Sequence, residues 1–198
     1  GLAAVLMPSL RRRQGNVAEA TTRTLRIGYA KVVKDPLVTR LALMRFLPTC
    51  YYGMTSVLMP LLIYAAVGTK TAVAVFATAS QLLATVAQLV TGRAADRLGP
   101  RIPTLVAMSA VTLAALGQGL LARWGWGLFV FGCLGIAAAW SLSTLMPVIV
   151  SGAVSPATQG RVLGTLNLLW NLAMTLSAIV GGALLEIQPA LPFLVAAG

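Results

Sequence analysis

An all-α, polytopic membrane helix bundle is the fold class this chain predicts, and three observations carry the prediction. Of its 198 residues 58% are hydrophobic and only 10% charged, whereas a water-soluble domain carries about a quarter charged residues. Five long apolar runs each reach the roughly 20 residues that cross about 30 Å of hydrocarbon as helix. The basic residues fall in alternate connections between those runs instead of along one face.

Taken in order, residues 1–10 are apolar but span only about 15 Å if helical, at about 1.5 Å per residue. Arg11, Arg12 and Arg13 follow this piece, whereas a signal peptide carries its charge ahead of its apolar core. We therefore expect the end of a truncated transmembrane helix here. Residues 11–39 form one long basic segment with Ala18, Leu25, Tyr29 and Val32 at helical spacing. Two readings stand: a helix lying on the membrane surface, or a flexible connector that holds topology. Asp35 and Pro36 offer an N-cap and a first-turn proline for a helix beginning near Leu37. Residues 40–198 then form the transmembrane bundle.

The first full helix, residues 41–67, carries Arg45, Pro48, Tyr52, Thr55 and Met59 at steps of three and four. Arg45 lies a few residues inside one end, so its side chain is expected to snorkel to the headgroups. The short "GTKT" turn makes the next helix, 71–91, an antiparallel neighbour, and it places Thr78, Gln81, Thr85 and Gln88 on one stripe. Residues 92–101 are read as a charged loop. The third helix, 102–122, holds only scattered Ser109, Thr112 and Gln118. Trp124 and Trp126 in the tight "RWGW" turn suit an aromatic belt. The fourth helix, 126–150, carries Ser141 and Thr144 beside Trp140, with Pro147 as an expected kink. Ser155 and Pro156 are a second start signal, for the fifth helix at 162–185, which carries Asn167, Trp170 and Asn171. Gly160 and Gly164 stand at GxxxG spacing, and Gly181 and Gly182 thin the far end. Residues 189–198 begin another, truncated helix.

Charge placement orients the bundle. Residues 11–40, 92–101 and 151–161 hold almost all the Arg and Lys, while the opposite connections hold only Lys70 and Arg123. That is the positive-inside pattern, with the first set cytoplasmic. The net charge of +11 is thus dispersed, and a nucleic-acid partner is not expected, because one requires a shared basic face. There is no His, and Glu19, Asp35, Asp96 and Glu186 are the only acids. Neither a zinc site nor a Ser-His-Asp arrangement fits such a chain, so no metal, cofactor or enzyme activity is expected. Cys50 and Cys133 lie within apolar runs and read as small core residues.

Polar residues inside spans are costly and face the bundle interior or a cavity. Tyr52, Thr55, Gln81, Thr85, Gln88, Ser141, Thr144, Asn167, Trp170 and Asn171 are therefore the candidates for a substrate pathway. The competing reading is plain interhelical hydrogen bonding, at about 0.6 kcal/mol each.

The stretch "TGRAADRLGPRIP", residues 91–103, sets Asp96 among Arg93, Arg97 and Arg101, with Gly92 and Gly99 on either side. Read alone, Gly92 ends a helix, Gly99 allows a sharp turn, and Asp96 caps a nearby helix while pairing with arginine; a topogenic turn with an incidental acid reads equally well. "GRAADRLGPR" resembles the signature loop of the major facilitator superfamily, with Gly92, Asp96, Arg97, Gly99 and Arg101 on the pattern. Ala94 and Pro100 depart from it. "SPATQGRVLGT", residues 155–165, is similar to that family's loop before helix eleven. The resemblance implies twelve helices in two halves, with residues 1–10 ending helix six, 11–39 the central loop, the full helices numbered seven to eleven, and 189–198 opening helix twelve. It implies that helices seven, eight, ten and eleven line the cavity while nine lies outside, and that Asp96 and Arg97 gate by docking on the other half.

The function this implies is secondary active transport of a small solute by alternating access, with drug or metabolite efflux the leading form. Its partners are then the bilayer, the solute and an N-terminal six-helix half missing from this chain. No Asp or Glu occupies the middle of a span, which suggests a neutral or hydrophobic solute and places any proton-coupling carboxylate in the other half. Abundant Ala, Gly and Arg point to a bacterial plasma membrane. A non-transporting membrane scaffold built from a half-bundle is the alternative.

Overall fold

A computed structural model describes residues 36–197. Its elements are α1 (Pro36–Val67), α2 (Lys70–Leu98), α3 (Arg101–Leu120), α4 (Gly125–Ala153), α5 (Pro156–Ile187) and the short α6 (Leu191–Ala197), with no strand among the described residues. The first five are long and apolar enough to cross a membrane, so the expected all-α bundle is what forms. The readings made for residues 1–10, for the basic segment as far as residue 35 and for the Asp35 cap lie outside the described residues.

Several helices run longer than the apolar runs that announced them. α1 begins at Pro36, so residues 36–39 are its first turn and no longer connector. α2 carries through the expected loop to Leu98. The physical reason is local: Arg93, Ala94, Ala95, Arg97 and Leu98 are all strong helix formers, and nothing before Gly99 breaks the pattern. Gly99 then stops the helix at φ 76 and ψ 165, a conformation essentially restricted to glycine, and Pro100 follows. Gly92, read as a helix end, lies mid-helix, and a Cβ added there would meet nothing within 4 Å. Substituting Gly99 with alanine is therefore expected to lower stability by about 1–3 kcal/mol, measured by thermal unfolding in detergent, whereas Gly92→Ala should be neutral or slightly stabilising.

The helices assemble in two rows. α5 packs on α1, α1 on α4 and α4 on α2, which gives a front row in the order α5, α1, α4, α2. α3 backs α4, and α6 fills the angle between α3, α1 and α5. In lipid the helices gain little hydrophobic drive to associate, so close packing decides the arrangement. Small residues supply it where α3 meets α4: Ala107, Ala114 and Ala115 lie in one cluster with Ala138 and Ala139. At one end Val38, Leu41, Met146, Val150, Val162 and Leu166 close the row. Toward the other end Met54, Leu58, Met59 and Ile63 pack with Phe76, Leu128 and Phe193. α4, in the centre, is the most buried span, while α2 and α5 at the ends of the row are the least buried. Pro147 sits inside α4 without ending it, and Trp124 and Trp126 are exposed, as an aromatic belt requires.

Candidate functional site

The front row encloses a small cavity between α1, α4 and α5, with a volume of about 20 Å³, enough for one water. Arg45, Thr49, Tyr52, Trp140, Ser143 and Trp170 contribute to its walls. Helical spacing places them: Arg45, Thr49 and Tyr52 fall three to four residues apart on α1, as do Trp140 and Ser143 on α4. Tyr52 and Trp140 meet edge to face, with ring centroids 5.8 Å apart and planes at 76°. Arg45 Nη1 donates to Ser143 Oγ at 2.9 Å. The indole Nε1 of Trp140 is buried and has no hydrogen-bond partner.

Arg45 thus turns inward, against the expected snorkelling. With α1 starting at Pro36, it lies nine residues along the helix, about 14 Å from its start, and an acceptor on α4 is within reach. A guanidinium and an unspent indole N–H lie around one small space, with the Tyr52 ring packed against the indole, and together the two form a set of donors. That set can hold an acceptor-bearing or anionic group, because each donor gains most where water is scarce.

The other pathway candidates distribute unevenly. On α2, Gln81 and Thr85 are exposed and Gln88 is half-buried. Thr85 Oγ1 donates to its own helix at Gln81 O, 2.9 Å away. Thr144 Oγ1 donates to Gln88 Oε1 at 3.1 Å and lies 3.2 Å from Trp140 O, so Gln88 and Thr144 join α2 to α4. Asn167 and Asn171 are both exposed on α5, with Asn171 Nδ2 donating to Asn167 O at 2.9 Å. Ser141 stands apart from the cavity. Its hydroxyl is bonded to Ala137 O at 3.0 Å, and it lines a groove on the opposite side of α4. Thr55 is fully buried, with its hydroxyl unpartnered.

Sequence reasoning passed over Tyr51 and Ser143 and gave Gln118, noted as a scattered polar residue, no role. Tyr51 and Gln118 are fully or almost fully buried, and Tyr51 Oη and Gln118 Oε1, like Thr55 Oγ1, lack partners. Gln118 Nε2 donates to Met59 Sδ at 3.5 Å, which ties α3 to α1 behind the cavity, whose walls come from α1, α4 and α5. The available signal was spacing: Tyr51 falls four residues before Thr55 and eight before Met59, so it shares the lower part of the stripe that was read through Tyr52.

The charged hairpin has its own geometry. Asp96, Arg97 and Arg101 are exposed, while Ala95 anchors that end of α2 in the bundle. The expected capping by Asp96 does not occur at α3, whose N-cap position is Pro100, without a side-chain bond; Pro100 Cα instead leads directly from the glycine stop. A Cβ added at Gly160 or Gly164 would meet nothing within 4 Å among the described residues.

The family model described as Major Facilitator Superfamily matches residues 41–198, well over half of the chain. No curated protein matches the chain, and no solved structure does.

Proposed function

The chain belongs to the major facilitator superfamily, a family of multi-pass membrane transporters, and from that premise we propose that its front row is one wall of an alternating-access pathway for a small solute. One observation carries the reading. The two least-buried helices, α2 and α5, are the ones that expose carboxamide side chains among the described spans, Gln81 on one and Asn167 and Asn171 on the other, whereas α3 exposes only the small hydroxyls of Ser109 and Thr112. In hydrocarbon such groups are costly unless water or protein covers them. Their helices stand at the two ends of the row that holds the cavity of Arg45, Tyr52, Trp140 and Trp170, so a second bundle facing this row would enclose a polar path.

In this reading Arg45, Tyr52 and Trp140 bind an acceptor-bearing part of the solute, while Gln81, Gln88, Asn167 and Asn171 line its route. Thr144 holds Gln88 in place. Asp96 and Arg97, exposed at the end of α2, latch against the facing bundle, and Gly99 sets the turn that presents them. The charged hairpin and residues 151–161 lie on the cytoplasmic side, which the arginine distribution supports.

The test is transport by the intact protein in proteoliposomes, with a panel of labelled neutral and anionic solutes. Exchanging both Gln81 and Gln88 for leucine should lower flux about five- to tenfold for each lost contact with the bundle still folded, since the one interhelical bond lost, from Thr144 to Gln88, is worth only about 0.6 kcal/mol. Absence of flux for every solute, together with retained binding to co-purifying membrane proteins in the double variant, would instead identify a scaffold.

A further inference from the structure

Behind α4, on the side away from the cavity, α2 and α3 both pack on α4 but only lightly on each other. The gap is a groove of about 330 Å³. Its walls include Val90, Ala94 and Leu98 from α2 and Ile102 and Val106 from α3, and Ala138 lies in the floor. Four of these, Val90, Leu98, Ile102 and Val106, are half or more exposed at the rim. The floor is deep because it is built of alanine. Ser141 and Thr91 are its polar residues, and the Ser141 hydroxyl is already bonded to Ala137 O, so the surface offers mainly hydrocarbon contact. From Ala87 to Leu98 the groove follows about 16 Å of helix, roughly the depth of one leaflet's hydrocarbon.

One end of the groove runs into the charged hairpin. Arg93 precedes Ala94, Arg97 precedes Leu98 and Arg101 precedes Ile102, so each arginine is the chain neighbour of a groove residue, and all three are exposed. Asp96 is the one acid there, which leaves three positive charges against one negative, a net of +2. An apolar trough of leaflet depth that ends in a cationic rim matches one class of molecule.

We propose that this groove binds an anionic phospholipid, with an acyl chain lying between α2 and α3 and the phosphate held by the arginines of the hairpin. Basic pockets between membrane helices attract such headgroups over zwitterionic ones, and the groove adds the hydrocarbon contact that makes residence specific. The proposal stands apart from the transport reading: it needs only that the helices lie in a bilayer. It does give the hairpin a second role, since a bound lipid would stiffen the segment that carries Asp96.

Native mass spectrometry of the chain in mild detergent tests this, with phosphatidylglycerol and phosphatidylcholine of identical acyl chains as probes. Phosphatidylglycerol should bind more tightly. Arg97→Gln and Arg101→Gln should each weaken it about fivefold while leaving phosphatidylcholine unchanged. Filling the trough with Ala87→Phe and Ala94→Phe should weaken both lipids; if that variant does not fold, Val106→Trp at the exposed rim serves the same end. Equal binding of the two lipids overturns the proposal. So does a headgroup preference that survives filling, which would mean attraction to the hairpin alone, and so does a dimer that added lipid fails to displace, which would put a second copy in the groove.

Discussion

Replacing Arg45 with leucine is expected to cut solute flux by about ten- to a hundredfold while the bundle still folds. The magnitude follows from the loss of hydrogen bonds to a charged group, about 1.5–3 kcal/mol. The fold should tolerate the change, because the side-chain partner left behind among the described residues is the Ser143 hydroxyl, which can turn back to a carbonyl of its own helix. Arg45→Lys separates charge from shape: a lysine keeps the positive point charge but loses the planar fork, so partial activity with a raised KM is expected. The measurement is the initial rate of uptake by proteoliposomes for an anionic and a neutral solute of similar size. Wild type should prefer the anionic one, and the leucine variant should lose that preference along with the rate. Unchanged selectivity in the leucine variant would remove Arg45 from the solute site and return it to a packing role.

Valine in place of Gly53 is expected to destabilise the bundle by about 3 kcal/mol, at the upper end of what overpacking costs. Gly53 lies where α1 packs tightly against α5. A Cβ there would stand 3.0 Å from the backbone oxygen of Met174 and 3.1 Å from its Cα, and would also meet Ser177 Oγ. The hydroxyl could rotate aside, though it bonds Met174 O at 3.2 Å. The α5 backbone cannot, so the helices must part, and Gly181 further along would lose its contact with Met54 and Leu58. Thermal unfolding in detergent reads the loss directly. Gly164→Val is the matched control: nothing lies within 4 Å of the Cβ it would add, so a change within about 0.5 kcal/mol is expected. Comparable losses in both variants would mean that valine is harmful to these helices as such, and that the α1–α5 seam is not special.

That pair of glycines shows where sequence reading stopped. Gly160 and Gly164 stand at a recognisable spacing, yet a Cβ added at either would meet nothing within 4 Å among the described residues, while Gly53, alone on its helix, carries a tight seam. The polar residues behaved in the same way. Tyr52 and Trp170 came together at the cavity, but Thr55 turned into the core beside Tyr51, Ser141 faced the rear groove, and Arg45 pointed in instead of out. The charged hairpin was recognised from Gly92, Asp96, Arg97, Gly99 and Arg101, although two of its turns proved to be helix.

What the chain determined by itself was its class, its five spans and the family to which residues 41–198 belong. Length, hydropathy and a short charged pattern are properties of a segment on its own, and the bilayer acts on each helix separately. Only the tertiary structure decided which side of each helix meets which neighbour. That choice depends on the rotation and crossing of two helices together, and a stripe with a period of 3.6 residues fits a cavity, a seam or a lipid face equally well until its neighbour is in place.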